Sequence, residues 1–112
     1  MAKFMLLLGG VERPAGPTGD YGAVAERYRT YVKELTERGH FLATNGLFPG
    51  QGVMLRVTDD RIVDGPFAES KEAINGYFLI EARDLAEATR IAKGCPILLE
   101  QRGFCQVRPV SL

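Results

Sequence analysis

The sequence predicts an α+β protein of the ferredoxin-like βαββαβ plan, carrying an inserted β-hairpin and assembling as a dimeric α+β barrel. Two helix-period stretches separate short apolar runs in the order strand, helix, strand, hairpin, strand, helix, strand. The first and third principal strands are apolar on both faces, as the central strands of that plan must be. At 112 residues, the chain fits one domain, 1–112, around one core.

Residues 3–8, KFMLLL, bounded by Gly9-Gly10, read as a short buried strand. The stretch GGVERPAGPTG then interrupts regular structure with Gly and Pro, without the spacing of a phosphate-binding loop. From Asp20, an expected N-cap, Val24, Tyr28, Tyr31 and Leu35 recur at helical spacing, and Gly39 supplies the stop. FLAT at 41–44 resumes strand character before two turns, Asn45-Gly46 and Pro49-Gly50. VMLRV and RIVD flank Thr58-Asp59-Asp60 as a hairpin with a short polar loop, and Asp64-Gly65-Pro66 reads as a turn. Ser70 is placed to cap a short helical turn ending at Asn75-Gly76.

GYFLIEA at 76–82 is the third principal strand. The second helix shows one apolar face through Leu85, Ala88, Ile91, Ala92 and Cys95, with Asp84 as N-cap and Gly94 and Pro96 near its end. FCQVRPV closes the sheet as an edge strand with Gln106 and Arg108 on one side. Both helices of such a unit cover one face of the sheet. Met5, Leu7, Tyr77 and Leu79, or their counterparts on the opposite face, would then lie bare, forgoing about 1.5–3 kcal/mol per large side chain. A face-to-face homodimer follows as the expectation, compatible with an apolar ligand as a further cover.

Fourteen basic residues balance fourteen acidic ones, so no excess of positive charge is available to track a nucleic-acid backbone. FMLLL is far too short to span a bilayer and lacks the features of a secretion signal, so no membrane association and a cytoplasmic location are expected. Cys95 and Cys105 read as two reduced, partly buried thiols. A single histidine and no recognisable ligand spacing argue against a metal site.

DGPFAESKE at 64–72, followed by GYFLIEA, a helix and a closing VRPV, resembles the YCII-related family in its DGPF-motif branch, over nearly the whole chain. The resemblance implies a dimeric α+β barrel and, in some relatives, small cofactor-free enzymes acting on ring compounds through a His on helix one paired with an Asp. Here the position nearest that His is Tyr28, and the single histidine, His40, follows the helix. Other domains of this branch accompany extracytoplasmic-function sigma factors, which implies a regulatory alternative.

Asp64 is the leading candidate acid or base, because the residue two positions on is Pro66, which has no N–H to occupy the carboxylate. His40 and Glu69 are the assisting catalytic candidates. Tyr28, Phe67 and Lys71 are candidate substrate contacts. Arg108 is placed to orient an anionic group or to pair with a carboxylate of the DGPF segment. The two functional expectations are a cofactor-free enzyme moving protons on a ring or carbonyl compound in a pocket between sheet and hairpin, and a noncatalytic ligand-sensing module.

Overall fold

The computed structural model describes residues 1–10, 21–48, 51–66, 74–99 and 103–111. Nine elements follow in order: β1 Ala2–Gly10, α1 Tyr21–Glu37, β2 Phe41–Gly46, β3 Val53–Thr58, β4 Arg61–Pro66, β5 Ile74–Ala82, α2 Leu85–Lys93, α3 Pro96–Leu99 and β6 Gly103–Pro109. Four strands form an antiparallel sheet in the order β2-β5-β1-β6, and β3 and β4 form a separate two-stranded sheet. This is the ferredoxin-like arrangement, with the two doubly apolar strands β1 and β5 at the centre.

The core follows from period-two alternation in those central strands. Phe4, Leu6 and Leu8 of β1 and Phe78, Ile80 and Ala82 of β5 are buried on the helix-covered face, where Leu6 faces Phe78 and Phe4 faces Ile80 in register. From above, α1 brings Tyr31 and Leu35, and α2 brings Ala88 and Ala92. Phe78 is the hub, stacked against Tyr28 at 6.2 Å and met edge-on by Tyr31 at 5.3 Å and Phe41 at 6.4 Å. Tyr31 is tied to the second helix by its hydroxyl, which donates to the Ile91 carbonyl at 2.7 Å. Burial of that phenol pushes its pKa well above the usual tyrosine range.

The described helix ends obey their sequence signals, while the N-cap expected at Asp20 lies outside the described residues. Gly39 takes φ +76°, while His40 N–H reaches the Leu35 carbonyl at 2.8 Å and Gly39 N–H the Thr36 carbonyl at 3.1 Å. That pair of bonds is the Schellman closure, for which a residue without Cβ is suited. Asp84 caps α2, its carboxylate accepting from Glu87 N–H at 2.9 Å. No helix among the described residues is long and apolar enough to cross a membrane.

Several local expectations are corrected. Asn45-Gly46 does not turn but ends β2, with Asn45 opposite Tyr77 and Gly46 opposite Gly76. Likewise Asn75-Gly76 lies inside β5, whereas the expected Ser70 cap and the Pro49-Gly50 turn lie outside the described residues. Asp64-Gly65-Pro66 is the end of β4, where Asp64 faces Leu55 and Pro66 faces Val53; a proline fits because no third strand among the described residues asks for its N–H. The hairpin reverses at Asp59-Asp60 alone, with φ of 50° and 61°, the two-residue geometry that Asp tolerates in the left-handed region. Four residues after Gly94 form α3, which the sequence reading missed.

The helix-free face of the sheet is less bare than expected: Met5, Leu7, Tyr77 and Leu79 are half-buried by their neighbours. The most exposed large apolar side chains lie instead in the hairpin and the segment leading to it.

Candidate functional site

A cleft of about 640 Å³ opens where α1, α3 and the Gly46–Asn75 end of the sheet meet. Its apolar wall comes from Leu8, Val32, Phe78 and Ile97. Leu8 and Phe78 belong to the core, so the cleft is a continuation of the core toward solvent. Polar groups enter from the strands: Thr44 and Asn45 on β2, Asn75 and Tyr77 on β5, with Tyr28 and Arg29 from α1. Apolar walls with a few converging polar groups are the usual make-up of a small-molecule site.

The bonding of these groups limits what each can offer. Asn45 Nδ2 donates to the Tyr77 hydroxyl at 2.9 Å, which leaves the phenol proton to give and the Asn45 carbonyl oxygen to accept. The Thr44 hydroxyl donates to the Tyr77 carbonyl at 2.8 Å and keeps acceptor capacity. Asn75 makes a long bond of 3.4 Å to the Gly10 carbonyl. Arg29 is engaged at 2.7 Å by Glu26, one turn earlier on the exposed side of α1. Among the described residues the lining therefore presents neutral amides and hydroxyls, with one cation, Arg29, already paired.

Gly76 explains how the strands close at this end: a Cβ there would lie 3.1 Å from the Asn45 carbonyl oxygen and 3.5 Å from the Gly46 Cα. Any side chain would push β2 off β5 just where the cleft is framed.

Of the residues singled out from sequence, Tyr28 lines this cleft. His40 stands before β2, five residues from Asn45, roughly 16 Å along an extended chain. Its Nδ1 donates to the Glu81 carbonyl at 2.8 Å, and its own carbonyl accepts from Glu81 N–H at 2.8 Å. The ring is thereby held with Nε2 as its unprotonated nitrogen when neutral. Asp64 lies on the hairpin, exposed. Arg108 lies exposed on the helix-free face of β6, opposite Met5. Neither makes an ion pair among the described residues, so the expected pairing of Arg108 with a DGPF carboxylate does not occur through Asp64 within one chain. Phe67, Glu69 and Lys71 lie outside the described residues. The cleft described here lies between sheet and helices, whereas the expected pocket between sheet and hairpin borders residues 67–73, which lie outside the described residues.

Thr44, Asn45 and Asn75 were missed as site residues because Asn beside Gly reads as turn chemistry. The available signal was their position at the facing ends of two adjacent strands, which only the register reveals.

Cys95 and Cys105 carry no chemistry in this arrangement. Burial raises the Cys95 thiol to about 11 and the Cys105 thiol to about 12, so both stay protonated and poorly nucleophilic. At the start of α2, Glu87 receives the Arg83 backbone N–H at 2.9 Å and its guanidinium at 2.9 Å. The first of these contacts does most to hold its carboxyl below the ordinary range.

Fold and cleft together define a small α+β protein of ferredoxin-like topology with a largely apolar cleft between its sheet and its helices. The chain belongs to the YCII-related domain family, whose model matches residues 18–111. It is also similar to an uncharacterized protein of Rhizobium meliloti (strain 1021), 39% identical over 51 residues. That match covers 46% of this chain and 41% of the relative, so it spans less than half of the relative's length.

Proposed function

We propose that the protein works as a homodimer in which each subunit binds a small, uncharged, mostly apolar ring or carbonyl compound in the cleft. The observation that carries this reading is the described lining itself: an apolar wall faced by amides and hydroxyls with unused donor and acceptor capacity. Such groups hold a carbonyl or hydroxyl without the desolvation cost of burying a charge. A carboxylate ligand would have to compete with Glu26 for Arg29.

Between the two functional expectations, ligand binding without acid/base catalysis has the better support, because His40 and Asp64 are not among the described lining residues. Proton transfer rests on the family resemblance. The DGPF run itself, Asp64-Gly65-Pro66-Phe67, is our ground for assigning the chain to that branch. A regulatory role beside an extracytoplasmic-function sigma factor is the use for a ligand-binding homodimer that the resemblance implies. Pairing of two copies is supported by the helix-free face, where Met5, Leu7, Tyr77 and Leu79 form a continuous apolar strip.

The test is a calorimetric binding panel of neutral cyclic ketones and lactones against carboxylates of matching size. Neutral compounds should bind, and Asn45→Leu/Asn75→Leu should weaken them about tenfold or more for the lost hydrogen bonds. Preference for the carboxylates, or wild-type affinity in the double variant, would refute the reading.

A further inference from the structure

The hairpin is the part of the molecule that a single chain leaves unexplained. All six residues of β3 are exposed. Register puts Val53, Leu55, Val57, Ile62 and Asp64 on one of its faces. The first four are 57%, 62%, 76% and 75% exposed. On its other face Arg56 and Arg61 accompany Met54, Thr58 and Val63. The apolar surface continues into the segment before β3, where Phe48 is 80% exposed. Two strands alone are marginally stable in water, and a flat apolar hairpin face is an association hazard unless something covers it.

We propose that the hairpin is an arm that lies on a second copy of this chain, its apolar face against the helix-free face of that copy's sheet. This deepens the homodimer reading above and rests on it. Three features select a second copy as the occupant. The helix-free face supplies the matching surface, with Met5, Leu7, Leu79 and Phe104 side by side on three adjacent strands. Charges are complementary: Asp64 is the only charged residue on the arm's apolar face, whereas Lys3, Glu81 and Arg108 leave the sheet face one positive charge in excess. The chain as a whole has a formal net charge of +0, so no long-range repulsion opposes self-association. Two-fold symmetry then uses each surface twice and closes the assembly, which leaves no open apolar edge for further growth. Arg56 and Arg61 remain on the solvent side of the arm. Asp64 comes to the basic part of the opposing sheet, which gives its carboxylate a cation that it does not have among the described residues of its own chain.

The experiment is sedimentation velocity over a concentration series on three proteins: wild type, Val57→Glu/Ile62→Lys, and Leu79→Glu. Val57 and Ile62 face each other across the hairpin, so the opposite charges in the double variant support the arm's own pairing and leave net charge unchanged. Circular dichroism checks that the fold is kept. The double variant should raise the dimer dissociation constant about a hundredfold or more. Amide exchange in β3 and β4 should be slow in the wild-type dimer and fast after dilution to monomer. A double variant that dimerises like wild type while Leu79→Glu is monomeric would overturn the arm and leave sheet pairing intact. A wild type that stays monomeric at high concentration would overturn both.

Discussion

Replacing Gly103 with alanine probes how tightly the sheet closes beneath α3. Gly103 opens β6 opposite Gly10. A Cβ there would stand 2.7 Å from both Cγ1 and Cδ1 of Ile97, and it would also press on the Gly9 carbonyl oxygen. Ordinary contact between carbons is about 3.5–4.0 Å. The Ile97 side chain can rotate away, but the Gly9 oxygen belongs to β1, held between β5 and β6, so the backbone itself must shift. Overpacking of this kind costs about 1–3 kcal/mol, and a domain of this size loses about 4–8 °C of Tm per kcal/mol. Scanning calorimetry should therefore show a drop of roughly 5–20 °C. Protein concentration must be fixed, because self-association makes Tm concentration-dependent. Gly22→Ala is the control: in α1, an added Cβ there meets nothing within 4 Å, and alanine is the better helix former by up to about 1 kcal/mol. Its Tm should equal or exceed that of wild type. A Gly103→Ala protein melting within about 1 °C of wild type would refute the close approach of β6 to β1 and α3. Because Ile97 also lines the cleft, the same substitution should weaken ligand binding.

Two pH dependences follow from the altered carboxyl and thiol groups. The Arg83 backbone N–H and guanidinium lower the pKa of Glu87 in the folded chain, whereas the unfolded value is about 4.3. The stability it contributes is present above about pH 4.3 and lost as pH falls through the folded value. Glu87→Gln should thus flatten the acid side of the Tm profile, and parallel profiles for the two proteins would count against the contact. Cys95 and Cys105, raised to about 11 and about 12, work in the opposite sense. Their contribution is complete below the unfolded thiol pKa of about 8.5 and declines as pH rises toward the folded values. Wild type should therefore lose Tm above about pH 8.5 more steeply than Cys95→Ala/Cys105→Ala. At pH 8 a disulfide reagent should label the native thiols no faster than the protein opens; labelling at the rate of a free thiol would sink that account.

The architecture was legible where a side chain's role is set by its neighbours in sequence. Alternation in KFMLLL and GYFLIEA identified the central strands because a strand apolar on both faces has few other places to go. Asp84 and Gly39 declared helix ends through local hydrogen-bond chemistry. Legibility failed where the same residue types serve a tertiary pairing. Asn45-Gly46, Asn75-Gly76 and Asp64-Gly65-Pro66 all carry turn chemistry, yet each ends up in a strand, because a facing strand satisfies the backbone better than a local turn. The cleft was illegible for the same reason. Its polar residues lie about 30 positions apart on β2 and β5 and meet only through the register, for which sequence spacing has no signature. The α3 turn, four residues long, is shorter than any period that could announce it.

The cleft and the surfaces argued to join two copies draw on opposite sides of the same strands, and this makes the two properties separable by mutation. Leu8 and Phe78 are buried core residues as well as cleft wall, so truncating either would lower stability and binding together and decide nothing. Thr44, Asn45 and Asn75 carry little core packing, and altering them changes what the cleft recognises at small cost to the fold. Val57 and Ile62 belong neither to the cleft lining nor to the core among the described residues, so a loss of self-association there is not readily ascribed to a damaged subunit. Asn45 and Tyr77 are the exception. They bond to each other at 2.9 Å at the cleft end of the helix-free face, where a second copy would come closest to a bound compound. If ligand affinity depends on protein concentration in wild type but not in Val57→Glu/Ile62→Lys, that junction couples binding to assembly; equal affinity at all concentrations would make each subunit's cleft independent.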